Sequence, residues 1–157
     1  MVKDNELVMS VPASKKWASG ENDVTGLNNI ASEATAKSDM NGKTNTAVIV
    51  SYHTSIGETS DTSAAIYCNT YTGEIDGTLG KWYLPSTGEL YLYTVGNYST
   101  INPVANMLNW TYWNGGAFWS SFEESSRYAW FVTPGSGYTD YMKKTNYWSV
   151  SCFLDIS

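Results

Sequence analysis

Basic side chains are scarce in this sequence: 9 Lys and Arg stand against 15 Asp and Glu in 157 residues, and the formal net charge is −6. Arg127 is the one arginine, and no basic stretch is longer than the pairs Lys15-Lys16 and Lys143-Lys144. Such a chain repels phosphate, which argues against nucleic acid as a partner. No apolar run reaches the roughly 18 residues of a spanning helix, so no membrane insertion is expected. The start, Met1-Val2-Lys3-Asp4-Asn5, is polar and carries no targeting pattern; the chain is either assembled in the cytoplasm or is part of a longer exported protein. Two cysteines, Cys68 and Cys152, are too few for a disulfide framework and lack CxxC spacing. They read as buried free thiols, with pairing left open.

Catalytic groups are equally sparse. The single histidine, His53, has no local partner and reads as an ordinary surface or hydrogen-bonded side chain. GxSxG is absent. Glu123-Glu124 is the one adjacent carboxylate pair, and neighbours on a strand point to opposite faces, which suits a solvated edge at Glu124 better than shared acid-base work. Residues 39–45 set oxygen donors around Gly42 but lack the acidic residue that closes a calcium loop, so a turn is expected there and no metal site. Asn97-Tyr98-Ser99 and Asn109-Trp110-Thr111 fit the glycosylation sequon, which matters only in a eukaryotic secretory host. No catalytic residue, metal or cofactor is assigned.

Aromatic residues are what the chain has in excess: 7 Trp, 12 Tyr and 4 Phe. Residues 1–81 hold only Trp17, Tyr52, Tyr67 and Tyr71 of these. The rest crowd residues 82–157, more rings than one core of this size uses, so some are expected at a contact surface. A length of 157 residues suits one domain over residues 1–157.

Local patterns predict a strand at residues 6–11, stopped by Pro12, and then loops to Thr46 with a helical turn at 31–36. The β-branched run at 47–52 reads as a strand. A helix over 60–72 places positions 64, 67, 68 and 71 on one face, with Cys68 inward. Ser86 and Glu89 form a capping box that opens a helix to about Val95. A third helix is expected at 102–108 with Pro103 in its first turn. Segments 116–121, 127–132 and 147–155 read as strands of a small antiparallel sheet. Tyr and Trp interleaved with Ser, Thr, Asn and Gly make the composition of binding loops, although Trp119 and Trp130 read as core.

The order of motifs carries a resemblance. Residues 39–46, then Ala64-Ala65 with Cys68 and Tyr71, Trp82-Tyr83-Leu84-Pro85-Ser86 with Glu89-Leu90, Phe118-Trp119-Ser120-Ser121 with Glu123, Ala129-Trp130, and Phe153-Leu154-Asp155-Ile156 together resemble the bacterial and phage domain of unknown function numbered 1566. The likeness spans residues 39–157. It implies an α+β, C-type lectin-like fold of the formylglycine-generating-enzyme and variable-protein branch, with two main helices packed on small antiparallel sheets and the termini meeting as adjacent strands. Members are typically non-enzymatic binding domains on phage tails or bacterial surface adhesins, and some are diversified by retroelements that rewrite adenine-containing codons. The positions matching that pattern are Arg127, Tyr128, Phe131, Thr133, Ser136, Tyr138, Asp140, Tyr141, Thr145 and Tyr147, most of them residue types reachable from an asparagine codon. Val150-Ser151 and Cys152 depart from the family's usual ending. The EPN and WND triplets of calcium-dependent lectins are missing, so that mode of sugar binding is not implied.

The expected role is therefore ligand recognition through an aromatic C-terminal surface, on a phage tail or a bacterial cell surface. The partner class is a protein or glycan receptor on a cell, with homo-oligomer formation left open. The rival roles are a fixed sugar-binding adhesin tip and a structural virion subunit.

Overall fold

The computed structural model describes residues 8–73 and 81–155, which form an α+β arrangement of two sheets and five α-helices. In the large sheet β1 (Ala13–Lys16) pairs antiparallel with β6 (Tyr147–Val150), while β3 (Phe118–Glu123), β4 (Tyr128–Val132) and β5 (Thr139–Lys143) form an antiparallel meander. β6 lies parallel to β3, giving the order β1-β6-β3-β4-β5. The sheet is therefore mixed and not antiparallel as expected. The reason is directional: β5 already runs parallel to β3, and the chain continues through residues 144–146 into β6. A second sheet pairs β2 (Trp82–Tyr83) with β7 (Phe153–Leu154).

Alternation along the strands sends side chains to two cores. Trp119, Ala129 and Phe131 pack with Ile49 of α2 (Gly42–Ser55) and Ala65 and Cys68 of α3 (Ala64–Thr70). Phe118 and Val132 point the other way, to Leu90 of α4 (Thr87–Leu90) and Ala105 of α5 (Tyr98–Met107). Trp130 shares that side with Ala36 of α1 (Glu33–Ser38). Trp82, Trp119 and Trp130 are all buried.

Several local expectations hold. The turn expected at 31–36 is α1, capped by Ser32; the helix expected over 60–72 is the shorter α3, capped by Ser63; and Cys68 faces inward. The capping box is formed, with Ser86 Oγ accepting from Glu89 N and Glu89 Oε1 accepting from Ser86 N, and α4 continues as a π-helical turn over Tyr91–Val95. Glu89 is also a hub, since it accepts from Gly42 N (2.7 Å) and from the Tyr83 hydroxyl (2.7 Å). A Cβ on Gly88 would stand 2.3 Å from the Asp39 carbonyl, so only glycine lets α1 and α4 meet this closely.

Others are corrected. Residues 47–52 are not a strand but the middle of α2. Its inward face is Gly42, Asn45, Thr46, Ile49 and His53, helical in spacing but mixed in polarity, so tertiary contacts override the β propensity of Val48-Ile49-Val50. α5 starts at Tyr98 with Pro103 inside it. Residues 13–16 form β1, where loops were expected, and 139–143 form β5, between two of the expected strands. Of the strand at 6–11, residues 6 and 7 lie outside the described part; Met9 makes a single bridge to Phe153, and Ser10 N donates to the Cys152 carbonyl (2.8 Å). Segment 147–155 is divided between the two sheets. At the unusual ending, Ser151 Oγ donates to the Ser10 carbonyl (2.6 Å) and Cys152 N to Ser10 Oγ (2.7 Å), so its polar groups are engaged.

The cysteines are not free. Cys68 and Cys152 form a disulfide, both fully buried, with Cα atoms 5.3 Å apart across a separation of 84 residues. Docking of α3 against the chain between β6 and β7 brings them together, a long-range contact invisible to spacing rules.

Candidate functional site

Titratable groups in the interior are closed to a substrate. His53 is 1% exposed; its Nδ1 lies 2.7 Å from Ser63 Oγ, and its ring meets Trp17 edge-on at 5.3 Å. Ser63 Oγ also accepts from Ile66 N (3.3 Å), so the hydroxyl that caps α3 holds the imidazole in place. Burial lowers its pKa from 6.5 to about 4, with Lys144 adding to the shift and Glu58 opposing it. Because the folded value is the lower one, the unfolded chain binds more protons between pH 6.5 and 4. Stability therefore falls through that window as acid is added, by about 3 kcal/mol at full effect. Denaturation midpoints at pH 7 and pH 4.5 are expected to differ strongly in the wild type and much less in H53Q; equal slopes would contradict the assignment.

Glu123 and Lys144 form a second closed group. Both side chains are fully buried, and Lys144 Nζ donates to Glu123 Oε2 (2.5 Å) and to the Asn22 carbonyl (2.9 Å) beneath the Trp17 ring. Glu123 also accepts from Val24 N (3.0 Å). The pair ties residues 17–24 to the sheet. Desolvation raises the carboxyl and lowers the amine, each opposed by the attraction between them. Glu124 is half-buried and lies just past the end of β3. Residues 39–45 are not the separate turn expected: 42–45 begin α2, and Asp39 accepts from Asn41 and Asn45 at its start.

The accessible chemistry lies on the β4–β5 hairpin, the free end of the sheet. Tyr138 is 57% exposed, Tyr141 37% and Tyr147 62%. Asp140 organises the strand, accepting from the Tyr138 hydroxyl (2.8 Å) and from Tyr141 N (2.8 Å). That carboxylate raises the Tyr138 phenol above the usual tyrosine value. An acid at an unpaired edge also discourages a further strand from adding to it.

The ten expected contact residues do not make one surface. Tyr128 and Tyr141 stand together, rings 5.4 Å apart, on the side of Trp130. Tyr138 and Asp140 lie on the opposite flank with Phe131. Phe131 itself must be corrected: it is 6% exposed and stacks on Trp148 at 6.1 Å, a core ring supporting Tyr138 from below. Thr133 and the exposed Ser136 shape the hairpin turn, in which Ser136 Oγ accepts from Tyr138 N (3.2 Å). Exposed Arg127 pairs with Glu21 (3.2 Å) at the far end of the hairpin. Thr145 is half-buried in the connection to β6, and Tyr147 lies under Lys16 Nζ (5.2 Å) at the β1–β6 pair. The hairpin is thus a blade with a tyrosine on each flank. The parity of 138 and 140 against 141, running from the turn into β5, was a usable signal for this division once β5 itself was recognised.

No family model matches this chain, and no curated protein matches it. Among solved structures it is similar to a fimbrial protein from Bacteroides ovatus, known from a crystal structure at 1.85 Å resolution. The two align with a TM-score of 0.67 and 21% identity over 96% of this chain and 35% of that one. The chain thus spans about a third of that protein's length, and at this identity the likeness shows the fold alone. Among the described residues no helix is long and apolar enough to cross a membrane.

Proposed function

We propose that this domain recognises a protein or glycan receptor as part of a bacterial surface appendage, without catalysing a reaction. The observation that carries the reading is the pair of solvent-exposed tyrosines, Tyr138 and Tyr141, held on opposite flanks of a hydrogen-bonded hairpin whose inner rings are buried. Stiff aromatic side chains with a hydroxyl give large contact area at low entropy cost. The fold shared with a fimbrial protein supports the location. So does the buried disulfide, since such bonds persist in oxidising compartments.

Y138A and Y141A are each expected to weaken capture on an array of extracellular proteins and glycans by about tenfold or more, the scale of an anchor residue. Their melting temperatures should stay within about 2 °C of wild type, as for other exposed substitutions. Loss of binding in step with loss of melting temperature would make these residues core and end the proposal.

The finer reading is a C-type lectin-like surface diversified by a retroelement. Tyr138, Tyr141 and Tyr147 support it, being exposed and of a type an asparagine codon reaches by adenine substitution; buried Phe131 falls outside it. Sequencing the gene's surroundings decides: a reverse transcriptase with a near-identical copy of the 3′ end is expected, and absence of both leaves a fixed adhesin.

A further inference from the structure

No charged residue occurs between Glu89 and Glu123. That stretch folds into the end of α4, the π-helical turn, α5 and the loop that leads into β3. Its outer surface leaves Met107 72%, Leu108 56% and Tyr112 46% exposed. Residues 108–112 face Val11 and Pro12 across an open cleft of about 360 Å³, a volume at the lower end of small-ligand sites.

The wall of this cleft is firmly built. α5 ends with Trp110 N donating to the Ala105 carbonyl (2.9 Å), and Asn109 takes the left-handed backbone (φ 55°) that asparagine adopts after a helix. Trp110 packs edge-on against the buried Trp113 at 6.3 Å, and the Trp113 indole N–H donates to Asn102 Oδ1 (3.0 Å). The Tyr112 carbonyl accepts from Ser149 Oγ (2.8 Å), which anchors the loop to β6. While these neighbours are engaged, four polar side chains in the cleft are not. The Asn109 amide, the Trp110 indole N–H and the hydroxyls of Thr111 and Tyr112 make no hydrogen bond with the described residues.

We infer that this cleft binds a neutral carbohydrate. A pyranose has one face of C–H groups and a rim of hydroxyls that both donate and accept. Exposed Tyr112 and Trp110, with Leu108, Val11 and Pro12, offer carbon to the first; the free amide, indole N–H and two hydroxyls match the second. None of the seven residues that line the cleft is charged, which favours a neutral sugar over a sialic acid, sulfate or amine. The site lies on the α5–β3 loop and no residue of the hairpin lines it, so it stands or falls independently of the receptor proposed above.

The test is titration of the domain with glucose-, galactose-, mannose- and N-acetylglucosamine-terminated oligosaccharides and with their sialylated or sulfated counterparts. It is followed by tryptophan fluorescence and calorimetry. At least one neutral sugar is expected to give a saturable change that its anionic counterpart does not. Y112A, and N109G, which keeps the left-handed backbone while removing the amide, are each expected to weaken it by about tenfold, with melting temperature held. I56A, at an exposed side chain that belongs to neither surface, should leave it unchanged. The inference is overturned if no neutral sugar binds at about 10 mM, if anionic sugars bind instead, or if Y112A and N109G bind like wild type. Concentration-dependent self-association abolished by Y112A would also overturn it, by assigning the cleft to a second copy of the chain.

Discussion

Replacing Lys144 with methionine is expected to remove about 3–5 kcal/mol of folding stability, because it strands the Glu123 carboxylate, fully buried, without its cation. The cost is not that of a surface ion pair, which is worth about 0–1 kcal/mol. Lys144 also holds the Asn22 carbonyl and lies against Trp17, so its loss releases the 17–24 segment from the sheet. For a domain of this size a loss of about 3 kcal/mol lowers the melting temperature by roughly 10 °C. The double variant E123L/K144M removes both charges together and is expected to be more stable than K144M alone. Urea denaturation of the three proteins checks this. A K144M midpoint equal to wild type, or a double variant weaker than K144M, would contradict a buried, coupled pair.

Removing the Cys68–Cys152 disulfide is the second large effect. It joins residues 84 positions apart, and bonds of this kind contribute about 2–5 kcal/mol, chiefly by restricting the unfolded chain. C68A/C152A is expected to melt roughly 5–15 °C lower in equilibrium unfolding, by the scale for a domain of this size. Reductant should lower the wild type to the same level and leave the variant unmoved. Mass spectrometry after alkylation of the unreduced protein should find no labelled cysteine. Two labelled thiols, or a reductant-insensitive wild type, would contradict the bridge.

How much of this could be read from the residues depends on the range of the contact. The Ser86–Glu89 capping box is local and emerges as expected; so do the inward Cys68 and the core positions of Trp119 and Trp130. α2 was obscured because its buried face mixes Gly42, Asn45, Thr46, Ile49 and His53, leaving the β-branched run as the stronger visible pattern. β1 was obscured because Ala13-Ser14-Lys15-Lys16 has no apolar alternation and is defined by its pairing with β6. Lys144, beside Lys143, looks like one half of a solvated pair; only the fold reveals that Lys143 is exposed and Lys144 is sealed against Glu123. The contact residues were partly legible by type. Tyr138, Tyr141 and Tyr147 are exposed, but their distribution over two flanks and a distant strand pair, and the burial of Phe131, follow from strand parity and sheet order.

The central claim is that recognition belongs to the hairpin blade, and hydrogen exchange of the domain bound to its array-identified receptor tests it most directly. Binding is expected to slow exchange over residues 133–143, with the solvent face of α2 unaffected. Protection confined to α1 or α2, with the hairpin exchanging as in the free domain, would contradict it.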